Sequence, residues 1–209
     1  MDEPAPTPRR YHSRLREEQA GRTRELIAQA ARARFLEAGW AGTSVRSVAA
    51  AAGVAEATVY SAYGSKAGLA RSLVDTADAD AGVARLLAEL QAGAGDPRAQ
   101  LAAYIGFDRR LFEHGGAVLR VILEGRRQEP DLAAAYAEGR GRGERGRREV
   151  FGAWPRSAWR TGVDVGRALD VYAVVCSFET YDVATVERGW SPDEVERWWH
   201  DTLTAQLLA

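Results

Sequence analysis

Apolar positions in the first third of the chain recur at helical spacing. Ile27, Ala31 and Phe35 follow one another every four residues, and Gly39 ends the run as a glycine after a helix does, which predicts a first helix over 15–38. Val45, Val48, Ala49 and Ala52 fall at i, i+3, i+4 and i+7 and predict a short second helix, with Thr43 as its cap and Gly53 as its end. Residues from Val54 to Tyr60 predict a third, and Ser65 is placed to cap a fourth that runs through Leu69 and Leu73 to Asp80. Further on, no alternating run makes a convincing strand. Asp96 and Pro97 set a cap before a proline at the first helical position and open a helix expected to end near Gly115. Residues 117–127 read as another helix, and Pro130 opens the next. The segment 139–148 carries glycines at 139, 141, 143 and 146, each costing about 1 kcal/mol against alanine in a helix, so helix and loop stay open for it. Asp164 caps a long helix expected to reach Arg188, Gly189 ends it, and Ser191 to Glu194 form a capping box for a last helix. The expected fold class is all-α, with about nine helices.

Two short helices joined at a glycine have the geometry of a helix-turn-helix, in which the second helix enters the major groove of DNA. Ala49 is small where the helices cross, Gly53 can take a positive φ, and Val48, Val54 and Val59 supply the buried wedge. Glu56, Ala57, Thr58 and Ser61 are short or polar and suit a surface that meets base edges. Tyr60, Tyr63 and Lys66 from one side, and Thr43, Ser44 and Arg46 from the other, can hydrogen-bond phosphate oxygens. An ordinary helical hairpin in an α-helical core has the same spacing, so spacing alone leaves both readings open.

Charge favours the first. The overall balance of -1 hides an uneven split, because residues 9–71 carry eleven basic against five acidic groups, a net of +6, and residues 72–209 carry a net of -5. A basic first third can dock on phosphate while the acidic remainder faces away. The first dozen residues hold three prolines and no apolar period, which with their arginines makes 1–20 a flexible basic arm.

Composition removes several other classes. With 46% apolar residues the chain can build a core, yet its most apolar run, residues 171–178, is too short to span a bilayer, and no secretory signal is visible, so a cytoplasmic protein without a membrane partner is expected. Cys176 stands alone and has no internal disulfide partner. His12, His114 and His200 lie apart with no ligand at i+3 or i+4, so no metal site is expected, and no cofactor. No nucleotide-binding glycine loop or nucleophile motif occurs, so no catalytic residues are assigned. Two alternative classes remain, a helical interaction protein without a ligand switch and a small helical enzyme using buried acids such as Asp108 or Glu124.

Read as one string, Arg24 to Ala31, Phe35, Gly39, Thr43 to Val45, Val48, Ala49, Ala52 to Val54, Thr58 to Tyr60, Tyr63, Ser65, Lys66 and Leu69 closely resemble the N-terminal domain of the TetR family of transcriptional regulators. The resemblance covers 21–81, with the helix-turn-helix motif at 44–63. A second stretch, from Arg160 to Asp164 through Tyr181 and Asp182 to Pro192, looks like the last two helices of one branch of that family, and between them 82–159 carries little likeness. Two departures stand out: Ala55 replaces a frequent capping serine, and Ala67 and Gly68 stand where an acidic residue often follows the Ser-Lys pair. The resemblance implies that 82–209 is a helical ligand-binding and dimerisation domain, and that the chain is a regulator, most often a repressor, which binds double-stranded operator DNA as a homodimer and answers to a small-molecule effector. It sets the aromatic residues Tyr104, Phe107, Tyr136, Phe151, Trp154 and Tyr172, with Cys176, around the ligand pocket; Phe112, Trp159 and Phe178 fall in the same segments. So many rings and a single lysine, Lys66, imply a mainly apolar effector, with Arg120 or His114 to orient one polar group.

The last two helices carry more apolar surface than one small domain is expected to cover. Leu169, Tyr172, Ala173, Cys176 and Val183 make one face of the helix over 165–187, while Val171, Val174, Val175 and Phe178 make its middle apolar on nearly every side. In the final helix Val195, Trp198, Trp199, Leu203 and Leu207 repeat at threes and fours. A two-fold four-helix interface built on Phe178, Val183, Val195, Trp198, Trp199 and Leu203 would set two recognition helices about 34 to 36 Å apart, hence a near-palindromic operator.

Overall fold

The computed structural model describes the backbone of residues 8–80 and 82–209, and the side chains of 16–76 and 82–209. The expected arm therefore lies outside the described residues over 1–7. The chain divides into two compact units, Met1–Leu73 and Val74–Ala209. Regular structure among the described residues is helical, and the one extended contact is an isolated bridge between Trp159 and Leu208.

The first unit holds α1 (Pro8–Gly42), α2 (Val45–Ala52), α3 (Glu56–Tyr63) and the start of α4 (Lys66–Asp80). Helix α1 already begins at Pro8, where the sequence reading has the arm continuing to residue 20. Arginine, glutamate, glutamine and alanine dominate that stretch and lose little rotamer freedom in a helix, so it needs no apolar period to be helical. Gly39 (φ 66°, ψ −172°) breaks the helical path where the apolar period ends. The cap of α2 is Ser44, not Thr43: Ser44 Oγ accepts from the Ser47 amide and Ser47 Oγ accepts from the Ser44 amide. Thr43 is only 3% exposed, its hydroxyl held between the carbonyls of Arg34 and Gly39. Inside, Phe35 stacks on Trp40 at 5.6 Å, and Ile27, Ala31, Val48, Val59 and Leu69 close the core. Ser65 caps α4, its Oγ accepting from the Gly68 amide. A Cβ on Gly68 would lie 2.1 Å from the Tyr63 carbonyl oxygen, so α3 and α4 meet too closely for a side chain there.

The second unit holds α5 (Val83–Ala92), α6 (Pro97–Gly125), α7 (Pro130–Gly152), α8 (Val165–Val175), α9 (Phe178–Asp182) and α10 (Pro192–Leu207), with a 3₁₀ turn at Arg156–Ala158 and a wide π turn at Val183–Glu187. Helix α6, about 43 Å long at 1.5 Å per residue, is the axis on which α5, α7, α9 and α10 pack. Asp96 caps it, accepting from the Arg98 and Ala99 amides. The expected break at Gly115 is absent. A Cβ on the next residue, Gly116, would lie 3.1 Å from the Phe178 ring, so that glycine serves the approach of α9. The expected long helix over 164–188 is two helices and a turn. Cys176 (φ −93°, ψ 47°) ends α8, and Ser177 caps α9 by accepting from the Thr180 amide.

The glycine-rich run 139–148 is helical, inside α7. Following arginines take up the space of its missing side chains: a Cβ on Gly141 would lie 3.2 Å from Arg145 Nη1, and one on Gly143 only 2.8 Å from Arg147 Nη1. Beyond α7 the chain returns to its own end, where the Arg160 amide donates to the Leu207 carbonyl and the Ala209 amide to the Ala158 carbonyl.

The tight meeting of α6 and α9 makes a prediction. Gly116→Val inserts a branched side chain against the Phe178 ring and should destabilise the protein by about 1–3 kcal/mol, read as a lower urea midpoint with an unchanged slope. A midpoint that rises, as helix propensity alone would have it, would show that the approach is not close in solution.

Candidate functional site

Gly53 joins α2 to α3 in the left-handed conformation (φ 68°, ψ 30°), and the Val54 amide donates to the Ala49 carbonyl at 3.0 Å. With Val45, Val48, Ala49 and Val59 buried, α3 turns Glu56, Ala57, Tyr60 and Ser61 to solvent, with Thr58 half-buried beside them. This is the arrangement a groove-reading helix requires: an apolar inner face fixed by its partner and a short, polar outer one. Ala55 gives α3 no side-chain cap. Arg46, its side chain 87% exposed, stands 3.9 Å from Glu56, an exposed pair that adds little to stability.

The remaining residues expected at phosphate divide. Ser44 is exposed although its hydroxyl caps α2, whereas Thr43 faces inward, so a surface role for Thr43 is corrected. The Tyr63 hydroxyl donates to the Arg24 carbonyl at 2.9 Å, and partial burial raises its pKa, so it remains protonated. The Lys66 ammonium donates to the Trp40 carbonyl and lies 4.0 Å from the centre of that indole ring, which fixes a long, flexible cation in one place.

The second unit collects most of the expected pocket residues. Phe151 lies 6.0 Å from Tyr104, 4.4 Å from Trp154 and 6.1 Å from Tyr172, ring centre to ring centre. Cys176 belongs to the same buried cluster and Phe107 packs on its edge. Tyr136 stands outside it, with the Arg126 guanidinium 4.5 Å over its ring. Arg120 is engaged with Asp182, and the His114 ring with the Arg110 carbonyl.

A charged pair lies among these rings, and half of it escaped the sequence reading. Asp108, 3% exposed, accepts from the Tyr172 hydroxyl at 2.8 Å and from Arg147 Nη2. The Arg147 guanidinium lies 4.3 Å over Tyr172 and 5.5 Å over Tyr104. Burial alone would lower the arginine's pKa, but the Asp108 carboxylate raises it further, so Arg147 stays charged. Burial, and then the same carboxylate, push the Tyr172 phenol and the Cys176 thiol well above their ordinary values, so both keep their protons. Arg147 Nε is buried with no hydrogen-bond partner. Arg147 sits in a run of glycines and charges that reads as a solvated face, and its spacing from Gly143 is the only local signal of its inward turn.

The expected dimer residues also divide, and four are corrected. Phe178, Val195, Trp199 and Leu203 lie in the chain's own core, where Phe112 meets Phe178 and Trp199 at 5.5 and 6.0 Å. A single unit covers this stripe because α10 packs on both α6 and α8. Val183 and Trp198 stay exposed, and with them are Val174, Val186 and Trp190, which the sequence reading did not assign to the interface; Trp190 meets Trp198 edge to face. Among the described residues no group of three or more His, Cys, Asp or Glu could hold a metal ion, and no helix is long and apolar enough to cross a membrane.

Comparison with known proteins agrees with this geometry. The fold is shared with NalD of Pseudomonas aeruginosa, the secondary repressor of the MexAB-OprM multidrug efflux pump (22% identity over 91% of this chain and 98% of that one, TM-score 0.72). It is shared with PfmR, a TetR family transcriptional regulator from Thermus thermophilus (24% identity, 88% and 99% covered, TM-score 0.60). A transcriptional regulator from Saccharomonospora viridis, solved in complex with choline, matches at 16% identity over 90% and 99% of the chains, with a TM-score of 0.72. No curated protein matches the sequence. Residues 27–73, which span the helix-turn-helix and its supporting core, match the family model of the bacterial regulatory proteins of the tetR family. Residues 27–73 of the first unit therefore match the DNA-binding domain of the tetR family, and the chain shares its fold with the transcriptional regulators named above.

Proposed function

We propose that the chain is a ligand-responsive repressor acting in the cytoplasm, which binds a near-palindromic double-stranded operator as a homodimer and leaves it when a small, mainly apolar effector occupies the second unit. The observation that carries this reading is the outward face of α3, polar and short-chained on a helix whose other side is fixed by Val59 and Gly53, within a segment of net charge +6. Glu56, Ala57, Thr58 and Ser61 meet base edges. Arg46 and Lys66 neutralise phosphates, and Ser44 and Tyr60 add uncharged hydrogen bonds, while Tyr63, its proton given to the Arg24 carbonyl, braces α3 behind them. Lys66, already held against Trp40, has little freedom left to lose on binding. The fold shared with a repressor, NalD, and with a regulator holding choline supports both halves of the reading, repression and a small ligand.

Dimerisation rests on surface that this chain leaves uncovered. Val174 is 72% and Val186 63% exposed, and Val183, Trp190 and Trp198 are exposed with them, a set that a second copy would cover by two-fold symmetry. Effector release follows if the ligand favours a form of the dimer whose two α3 helices no longer fit successive major grooves.

A gel shift of the protein on the DNA flanking its own gene should give a discrete complex that excess unrelated DNA does not remove, and its absence at micromolar protein would end this reading. Lys66→Gln and Arg46→Gln should each lower the slope of log K against log[salt] by about one unit on every sequence, whereas Tyr60→Phe should weaken binding and leave the slope unchanged. Substitutions at Ala57 or Thr58 should instead change which sequence is preferred.

Sedimentation of the wild type should give a dimer. Trp198→Glu or Val186→Arg should give a folded monomer with much weaker operator binding. A wild-type monomer that still binds a palindromic site tightly would contradict the model.

A further inference from the structure

The second unit buries a donor that the fold does not satisfy. Arg147 uses Nη2 on Asp108 and lays its guanidinium plane on Tyr172, but Nε, on the same rigid plane, has no partner although it is shut off from solvent. A buried N–H without an acceptor is costly, and a group that supplied one would recover that cost. The rings of Tyr104 and Tyr172 lie against this guanidinium and Phe151 packs on both of them, in the segments already read as the effector's.

Charge balance selects the kind of acceptor. Asp108 and Arg147 neutralise each other, and the Tyr172 hydroxyl spends its proton on the same carboxylate. An anionic ligand on Nε would leave one negative charge buried without a counterion, and a cationic ligand on Asp108 one positive charge. A neutral oxygen on Nε adds no charge and supplies the acceptor that this buried N–H lacks. The tyrosine and cysteine protons reinforce this, since both groups remain uncharged.

We infer that the effector site is centred on Arg147, and that it takes an uncharged aromatic compound bearing one acceptor oxygen, of the ketone, lactone or quinone class, whose oxygen accepts from Arg147 Nε while its rings pack among Tyr104, Phe151 and Tyr172. This rests on the effector reading above. Arg147 stands on the part of α7 that glycines at 139, 141, 143 and 146 make least rigid, so ligand contact falls where the helix yields most readily.

The test uses the full chain and three probes of one shape, 2-acetylnaphthalene, 2-ethylnaphthalene and 2-naphthoate, titrated by tryptophan fluorescence and calorimetry. The ketone should bind at least about tenfold more tightly than either of the others, the return expected for one charge-assisted hydrogen bond. In the Arg147→Met, Asp108→Asn double variant, which removes both charges together, that preference should vanish while the hydrocarbon still binds. Arg147→Lys keeps the charge and lacks Nε, and it should lose the preference as well, so the comparison survives if the double variant does not fold. Tighter binding of the naphthoate, an unchanged ketone preference in both variants, or no binding of any probe would overturn the assignment. Operator binding by the unliganded wild type is measured alongside. If it persists while the ketone fails, this site alone is wrong; if it is lost, the reading as a DNA-binding regulator fails with it.

Discussion

Asp108 is a carboxylate at the middle of the long axial helix of the second unit, and a carboxylate buried alone would cost several kcal/mol. The neighbouring helices are built around that constraint. Arg147 on α7 supplies the countercharge and Tyr172 on α8 the second hydrogen bond, so a single acid ties three helices together. To reach Asp108 the Arg147 side chain must lie back along α7, and Gly143 leaves the room for it. The glycines that weaken α7 as a helix are thus partly what lets it hold its most buried charge. Removing either partner alone would strand the other, which is why both charges change together in the double variant.

What the sequence made legible is what acts within about four residues along the chain. Asp96, Asp164 and Ser191 cap the helices that follow them, Gly39 and Gly53 end those before them, and the apolar period from Ile27 to Phe35 lies in the core. What was misread depends on partners far away. Gly116 looks like part of a helix end until Phe178, from another helix, is seen resting on it. Thr43 and Ser44 are adjacent and both suit a cap, and the choice between them is made by the carbonyls of Arg34 and Gly39, which draw the threonine inward. The tryptophan-bearing stripe of α10 asks for cover, and the pattern cannot say whether it comes from α6 and α8 or from a second copy.

The two units solve the placement of a cation in the same way. Lys66 is held by a backbone carbonyl and an indole face, and Arg147 by a carboxylate and a phenol face. In each case an aromatic ring supports the flat or compact charge from one side and an oxygen orients it from another. The first arrangement leaves its cation half-buried, beside a surface suited to phosphate. The second encloses most of its cation and leaves the buried Nε–H without a partner.

Gly68 bears on how this chain can change over generations. Its missing side chain lets the Tyr63 carbonyl come within 2.1 Å of where a Cβ would stand, at the junction that also orients Lys66. An acidic residue at that position is therefore not open as a single step: the end of α3 would have to shift first. Because the obstacle is a backbone carbonyl, no change of side chain at residue 63 removes it, and a substitution at 68 becomes acceptable only together with changes that move the turn between α3 and α4.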